Sequence, residues 1–409
     1  MQYAVARMAI AVVLSLSVGG SCAFASEQDA LELSRTIRER HLPQGTVIDP
    51  IFATPSSGEI VSYTRGADSA IWTGHYLAAE AFRYKVTASP EALAHVRDAL
   101  NGIRALRRIT GTNLLARCLM SVDWRFANAI NTEEAGHGVT TDTLDGKRYY
   151  WIGNTSRDQY AGVFFGLGVT YEMVDDSEVR TIVKEEVTLL LEFLLRNNWA
   201  IVMPSGAIST VFWGRDDQQL SFLQVGRQVN PERFAELYKE KRKAAAISMA
   251  LPITLETFDE HGSYFKFNID YINLYNLIRL EDSAKFRKRY LKTYKILRNA
   301  TGDHNNAHFD IIDRGLKGED ESRDARIRAA LEQWLQRPRR DAYMDLRNSY
   351  PSCSNNRACS PLPIIARVRT DFLWQRSPFQ LSGGGDGRIE SAGIDYILPY
   401  WMARYYGVL

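Results

Sequence analysis

Two aspartates stand at loop-to-helix positions beside aromatic and basic residues. Asp68 precedes Trp72 and His75, and spacings of four and seven put all three on one helix face. Asp158 lies in the segment Trp151 to Tyr160, which also holds Asn154, Ser156 and Arg157. A third cluster is Phe212-Trp213-Gly214-Arg215-Asp216-Asp217, and a fourth runs from Gly383 through Asp386, Arg388, Glu390 and Asp395 to Trp401. Glycoside cleavage needs one carboxyl group to protonate the leaving oxygen and a second to act as nucleophile or base on the opposite face of the sugar. Aromatic faces cover the apolar faces of sugar rings, and Arg, Asn or His bind hydroxyls or a uronate carboxylate. Asp68 and Asp158 are the expected catalytic pair, with Asp395 or Glu390 as the substitute for either. Trp72, His75, Trp151, Arg157, Tyr160, Trp213, Arg215, Glu390 and Asp395 are the expected substrate contacts.

Each position also has a plain structural reading. Asp68 and Asp158 both stand where a helix N-cap belongs, and an Asp there satisfies free N–H groups without any chemistry. Trp72, Tyr76 and Phe82 fit an apolar helix face. β-Elimination from a uronate polymer is the alternative reaction, with Tyr160 or His75 as base and Arg157 as the charge-stabilising group. A non-catalytic protein that binds glycan or peptide in the cell envelope would use the same aromatic loops. His304 and His308 have the spacing of two metal ligands on one helix, but no Glu follows the first His and no third ligand is fixed, so no metal site and no cofactor are expected. Gly383 to Gly387 lacks the Lys-Ser or Lys-Thr of a phosphate loop, and no Ser-centred nucleophile elbow occurs. The basic run Lys285 to Lys292 reads as an outer, solvated helix, with contact to a membrane surface or an anionic polymer as the alternative.

The elements that must position these groups are helices. Ser26 caps a first helix to about Arg40, a second starts near Asp68, and Ser89-Pro90 opens a third that Gly111 closes. Helical patterns follow at 158–174, 177–196, 231–251, 264–280, 283–299, 304–316, 322–336 and 394–406, with 216–225 as a short addition. Strand signals are sparse, at 200–211 and 364–368. Long connections precede the helices near Asp68, Asp158 and Ile394, whereas Thr87-Ala88-Ser89, Asp175-Asp176 and Glu281-Asp282 are short links. Short links make antiparallel hairpins and gather the long loops at one end. The expected fold class is all-α, an α/α toroid of about six hairpins formed by residues 26–409. An irregular helical fold and a solenoid of helix pairs are the alternatives, although no repeat of fixed period occurs.

The segment Asp68-Ser-Ala-Ile-Trp72-Thr-Gly-His75-Tyr-Leu-Ala-Ala-Glu-Ala-Phe, followed by Thr87-Ala-Ser-Pro-Glu-Ala-Leu and Leu106-Arg-Arg-Ile-Thr-Gly111, resembles the inner-outer helix pair of six-hairpin glycosidase-like proteins. Gly153-Asn-Thr-Ser-Arg-Asp158-Gln-Tyr160-Ala-Gly162 is similar in style, a loop delivering an Asp to an inner helix. The resemblance covers about a quarter of the chain closely. It implies carbohydrate chemistry: that superfamily holds glycoside hydrolases, domains of polysaccharide lyases and members without catalysis.

Composition bounds the partners. The 409 residues carry 50 Lys+Arg against 48 Asp+Glu, a formal charge of +2, so no nucleic-acid partner is expected. A poly- or oligosaccharide partner suits the 8 Trp, 20 Tyr and 17 Phe. Residues 1–25 read as a secretory signal, with Arg7, an apolar stretch from Met8 to Val18 and Ala23-Phe24-Ala25 before the cut. The protein is therefore expected in the periplasm or outside the cell. No integral membrane segment is expected after cleavage, since Val187 to Leu195 is interrupted by Glu192. In an oxidising compartment Cys353 and Cys359 are the expected disulfide, and Cys118, among apolar residues, a buried thiol.

Overall fold

Ser26 caps the first helix as expected: its hydroxyl accepts from Asp29 N while the Asp29 carboxylate accepts from Ser26 N, a capping box. The structure is a computed structural model that describes residues 25–259, 264–353, 356–369 and 371–409. All but the last residue of the expected signal segment lie outside the described residues.

The protein is mostly α-helical. In chain order the helices are α1 (Glu27–Thr36), α2 (Ser69–Thr87), α3 (Pro90–Arg108), α4 (Ala127–Glu133), α5 (Arg157–Met173), α6 (Ser177–Arg196) and α7 (Asp216–Val229). There follow α8 (Pro231–Ser248), α9 (Ala250–Thr257), α10 (Phe265–Arg279), α11 (Ala284–Thr301), α12 (Ala307–Lys317), α13 (Glu321–Leu335) and α14 (Ile394–Tyr405). Strands β1 (Asp49–Phe52) and β2 (Ile60–Thr64) pair ahead of α2, and β3 (Cys118–Ser121), β4 (Val139–Leu144) and β5 (Lys147–Ile152) form a small sheet ahead of α5. Strands β6 (Ala200–Val202) and β7 (Ile208–Val211) pair ahead of α7.

Two kinds of helix follow from the residue patterns. α2, α5, α7, α10, α12 and α14 are buried on every side over most of their length. A helix without a polar face can be stable only where other elements surround it. α2 packs on α5, α5 on α7, α7 on α10, α10 on α12, α12 on α14, and α14 on α2. α3, α6 and α11 bury one stripe each and stand outside their partners. Outer neighbours are pinned by charge: Arg107 of α3 grips Glu186 of α6 through Nε at 2.6 Å and Nη2 at 2.7 Å.

α2 and α5 approach most closely at glycines. A Cβ built on Gly74 would sit 2.1 Å from the Gly162 carbonyl oxygen, and one on Gly166 would sit 2.3 Å from that of Gly74. The segment Gly162-Val-Phe-Phe-Gly166 thus lays one bare stripe of α5 on the backbone of α2.

Several expectations need correction. Sheet β3–β5–β4 replaces the expected loop, because Asp145-Gly146, both at positive φ, turns β4 back into β5. Residues 364–366 form a 3-10 turn instead of a strand. The helix expected over 231–251 divides into α8 and α9. His304 stands before α12, whose cap is the side chain of Asn306, so the two histidines do not share a helix face.

Cys353 and Cys359 form the disulfide, with Cα atoms 5.6 Å apart. Cys118 on β3 is a buried free thiol whose pKa burial pushes up to about 11. We expect iodoacetamide to leave Cys118 unmodified in the native protein and to label it in urea; rapid labelling of the native form would contradict this placement.

Candidate functional site

The beginnings of α2 and α5 meet, and Gln159 joins them. Its backbone N–H donates to Asp158 Oδ1 at 3.2 Å, its side-chain Nε2 donates to Asp68 Oδ1 at 3.4 Å, and its Oε1 accepts from Ile71 N at 3.0 Å. Ser156 Oγ also donates to Asp158 Oδ1. Arg117, at the start of β3, ties both lead-in loops together. It donates to Ala67 O at 2.9 Å, Asn154 O at 3.0 Å and Ser156 Oγ at 2.8 Å.

Asp68 occupies the N-cap position of α2, yet its side chain accepts no capping hydrogen bond, and the N-cap of α5 is Ser156. Burial, reinforced by the charge of Asp158 and opposed by Arg117, pushes the Asp68 carboxyl up to about 6. Asp158 instead accepts two hydrogen bonds on Oδ1, from Ser156 Oγ and from Gln159 N. The two aspartates therefore differ in environment, the arrangement by which a pair of carboxyl groups divides into a proton donor and an acceptor.

A cavity of about 320 Å³ opens beside Asp158, between the starts of α5, α7 and α10. Arg157, Asp158 and Arg215 line it, together with Glu256, Phe265 and Lys266. Arg215 organises the far wall. Its Nη2 donates to Asp217 Oδ2 at 2.8 Å and to Asp270 Oδ1 at 2.9 Å, and its Nη1 to Glu256 Oε1. One cation thus faces three carboxyl groups. Burial first, then the charge of Glu256, drives the Asp270 carboxyl well above its ordinary value.

Most of the other expected contacts lie elsewhere. Trp72 and His75 are buried beneath Phe372 and Trp374: Trp72 meets Phe372 at a centroid distance of 4.8 Å, and His75 meets Trp374 at 5.3 Å. His75 Nδ1 donates to Ile71 O at 2.8 Å and its Nε2 accepts from Asn268 Nδ2 at 3.0 Å, and burial lowers its pKa to about 4. Trp151 belongs to β5, is buried, and donates from Nε1 to Asp142 Oδ2 at 3.0 Å. Tyr160 lies in the core, where its hydroxyl accepts from Leu115 N at 3.2 Å. Glu390 is held by Arg40, His41 and Arg340; burial would raise its pKa, but the His41 ring and the nearby guanidiniums hold it down to about 2. Asp395 is buried and accepts from Leu373 N at 2.9 Å, anchoring the Phe372–Trp374 segment. Trp213 is exposed and donates to Asn198 O at 2.8 Å. These side chains share one end of the helices with Asp68 and Asp158 but do not line the cavity. Arg157 and Arg215 do.

Glu256, Lys266 and Asp270 lie outside the four clusters read from the sequence, and Asp217 of the third cluster is not among the expected contacts. The signal that could have found Asp270 is its position: Asn268, Asp270, Asn273 and Asn276 are polar residues spaced through a helix whose residues between Lys266 and Arg279 are otherwise Ile, Leu, Phe and Tyr. A polar residue in such a helix must be satisfied by a neighbour or do chemistry. Among the described residues, no group of three or more His, Cys, Asp and Glu side chains could hold a metal ion. The chain matches no family model, no curated protein and no solved structure.

Proposed function

We propose that the protein is an exported carbohydrate-active enzyme that hydrolyses glycosidic bonds of a poly- or oligosaccharide, with its helix pairs arranged as an α/α toroid of about six hairpins. The observation that carries the reading is the link from Asp68 to Asp158 across adjoining helix starts through Gln159, with Asp158 in the wall of an open cavity. Asp68, whose carboxyl keeps its proton to about pH 6, is the general acid for the leaving oxygen. Asp158, supplied with donors by Ser156 and Gln159, is the nucleophile or the base that activates water. Arg157 and Lys266 in the cavity wall suit a substrate bearing acidic groups. The internal disulfide supports export to an oxidising compartment. No helix of the described residues is long and apolar enough to cross a membrane.

β-Elimination has less support, because His75 and Tyr160 are both buried and already hydrogen-bonded. A non-catalytic binding role has one observation in its favour: Phe372 and Trp374 fill the space above Trp72 and His75.

The test is release of reducing ends from a panel of neutral and acidic glycans by the wild-type protein and by Asp158→Asn. Hydrolysis that falls by about a hundredfold or more in the variant supports the reading. An ultraviolet-absorbing unsaturated uronate product selects elimination instead. Binding without turnover by either protein selects the non-catalytic role.

A further inference from the structure

α9 carries apolar residues on two faces. Met249 and Ile253 enter the core, whereas Ile247 at the end of α8, Leu251 and Leu255 on α9, and Phe258 just after it are 70%, 64%, 59% and 81% exposed. Steps of four, four and three residues make these a single stripe on one helical face. Exposed large apolar side chains elsewhere on the protein are scattered, and a contiguous stripe calls for a partner.

α11 packs against both α8 and α9. Its sequence holds seven basic residues and no acidic one. Lys285, Lys288, Lys292 and Lys295 recur at steps of three, four and three along its exposed side, and none of the four is in an ion pair with a described residue. An unneutralised lysine row thus runs along a helix packed against the one that carries the exposed apolar stripe.

We propose that this face docks onto an anionic lipid bilayer, with the Ile247–Phe258 stripe entering the interface and the α11 lysines meeting lipid headgroups. The pairing of a basic row with a bare apolar face is what interfacial helices use: apolar burial supplies the anchor and the lysines supply attraction to negative lipids. A second copy of this chain is a poorer occupant, because a two-fold contact would bring the unpaired lysine row against itself. The cavity wall residue Glu256 lies between Leu255 and Phe258 in the chain, so docking would set the cavity mouth beside the membrane surface. The inference stands without the glycosidase reading.

Vesicle co-sedimentation of the full chain tests it, with mixed phosphatidylglycerol and phosphatidylcholine vesicles compared with pure phosphatidylcholine. The expected result is binding to the anionic vesicles, at least about tenfold stronger than to neutral ones and weakened by salt. L251E/L255E should abolish binding and K288E/K292E should reduce it about tenfold, both with an unchanged far-UV circular dichroism spectrum. No binding to anionic vesicles at low salt would overturn the proposal. So would equal binding by L251E/L255E, or a concentration-dependent dimer that L251E/L255E dissolves.

Discussion

Replacing Asp68 by Asn is expected to cut hydrolysis by about a thousandfold, as loss of a general acid does, while making the protein more stable above pH 6. The two effects have one cause. Asp68 is buried at the start of α2 beside Asp158, so its carboxyl titrates near 6 rather than at its ordinary 3.8. Between those values the folded protein holds a proton that the unfolded chain has released. Stability therefore falls as the pH rises from about 4 to about 6, and the loss is complete above that window. Asn resembles the neutral carboxyl and carries no such loss. Allowing for the part of Asp68 that solvent still reaches, the gain is about 1–2 kcal/mol at neutral pH. Urea unfolding of both proteins at pH 4 and pH 7.5 reads it: the stability difference should grow in favour of Asp68→Asn as the pH rises. A difference independent of pH would show that Asp68 is an ordinary exposed carboxylate and would remove it as the acid.

The second large effect is structural. Gly74→Ala is expected to destabilise the protein by about 3 kcal/mol and to lower any activity with it. The new methyl group would meet backbone, 2.1 Å from the oxygen and 2.4 Å from the carbon of the Gly162 carbonyl, with no side chain able to turn aside. Relief requires α2 and α5 to separate. Asp68 and Asp158 stand at the starts of those same helices, so separation also breaks the bridge that Gln159 makes between them. Gly136→Ala is the control, since a Cβ there meets nothing within 4 Å and its backbone is not left-handed. A Gly74→Ala midpoint in urea equal to that of Gly136→Ala would show that the helices have room to spare.

Local signals were readable in the sequence. Ser89-Pro90 caps and opens α3 as its residue types demand, Ser177 to Arg196 is helical over its whole length, and Cys353 pairs with Cys359. Asp145-Gly146 has the residue types of a hairpin turn, and the strand pair it joins puts Trp151 in β5 rather than in a loop. The spacing of Trp72 and His75 from Asp68 put them on one helix, but spacing carries no information on what lies above that helix. Phe372 and Trp374 come from some three hundred residues later in the chain and cover both.

The sequence by itself determined most of the helices, the caps at Ser26 and Ser89, the short links, and the two aspartates at helix starts. Each depends on interactions within about four residues, which the order of side chains specifies directly. Only the tertiary structure decided which groups are chemically distinctive. Arg215 meets Glu256 and Asp270 across 41 and 55 positions of chain, and Asp68 meets Gln159 across 91. Desolvation and charge coupling depend on distance through space and on the burial around each group. Those quantities come into being when the helices pack, and they separate the carboxyl groups beside the cavity from residues of the same type that serve as core or as ion-pair anchors.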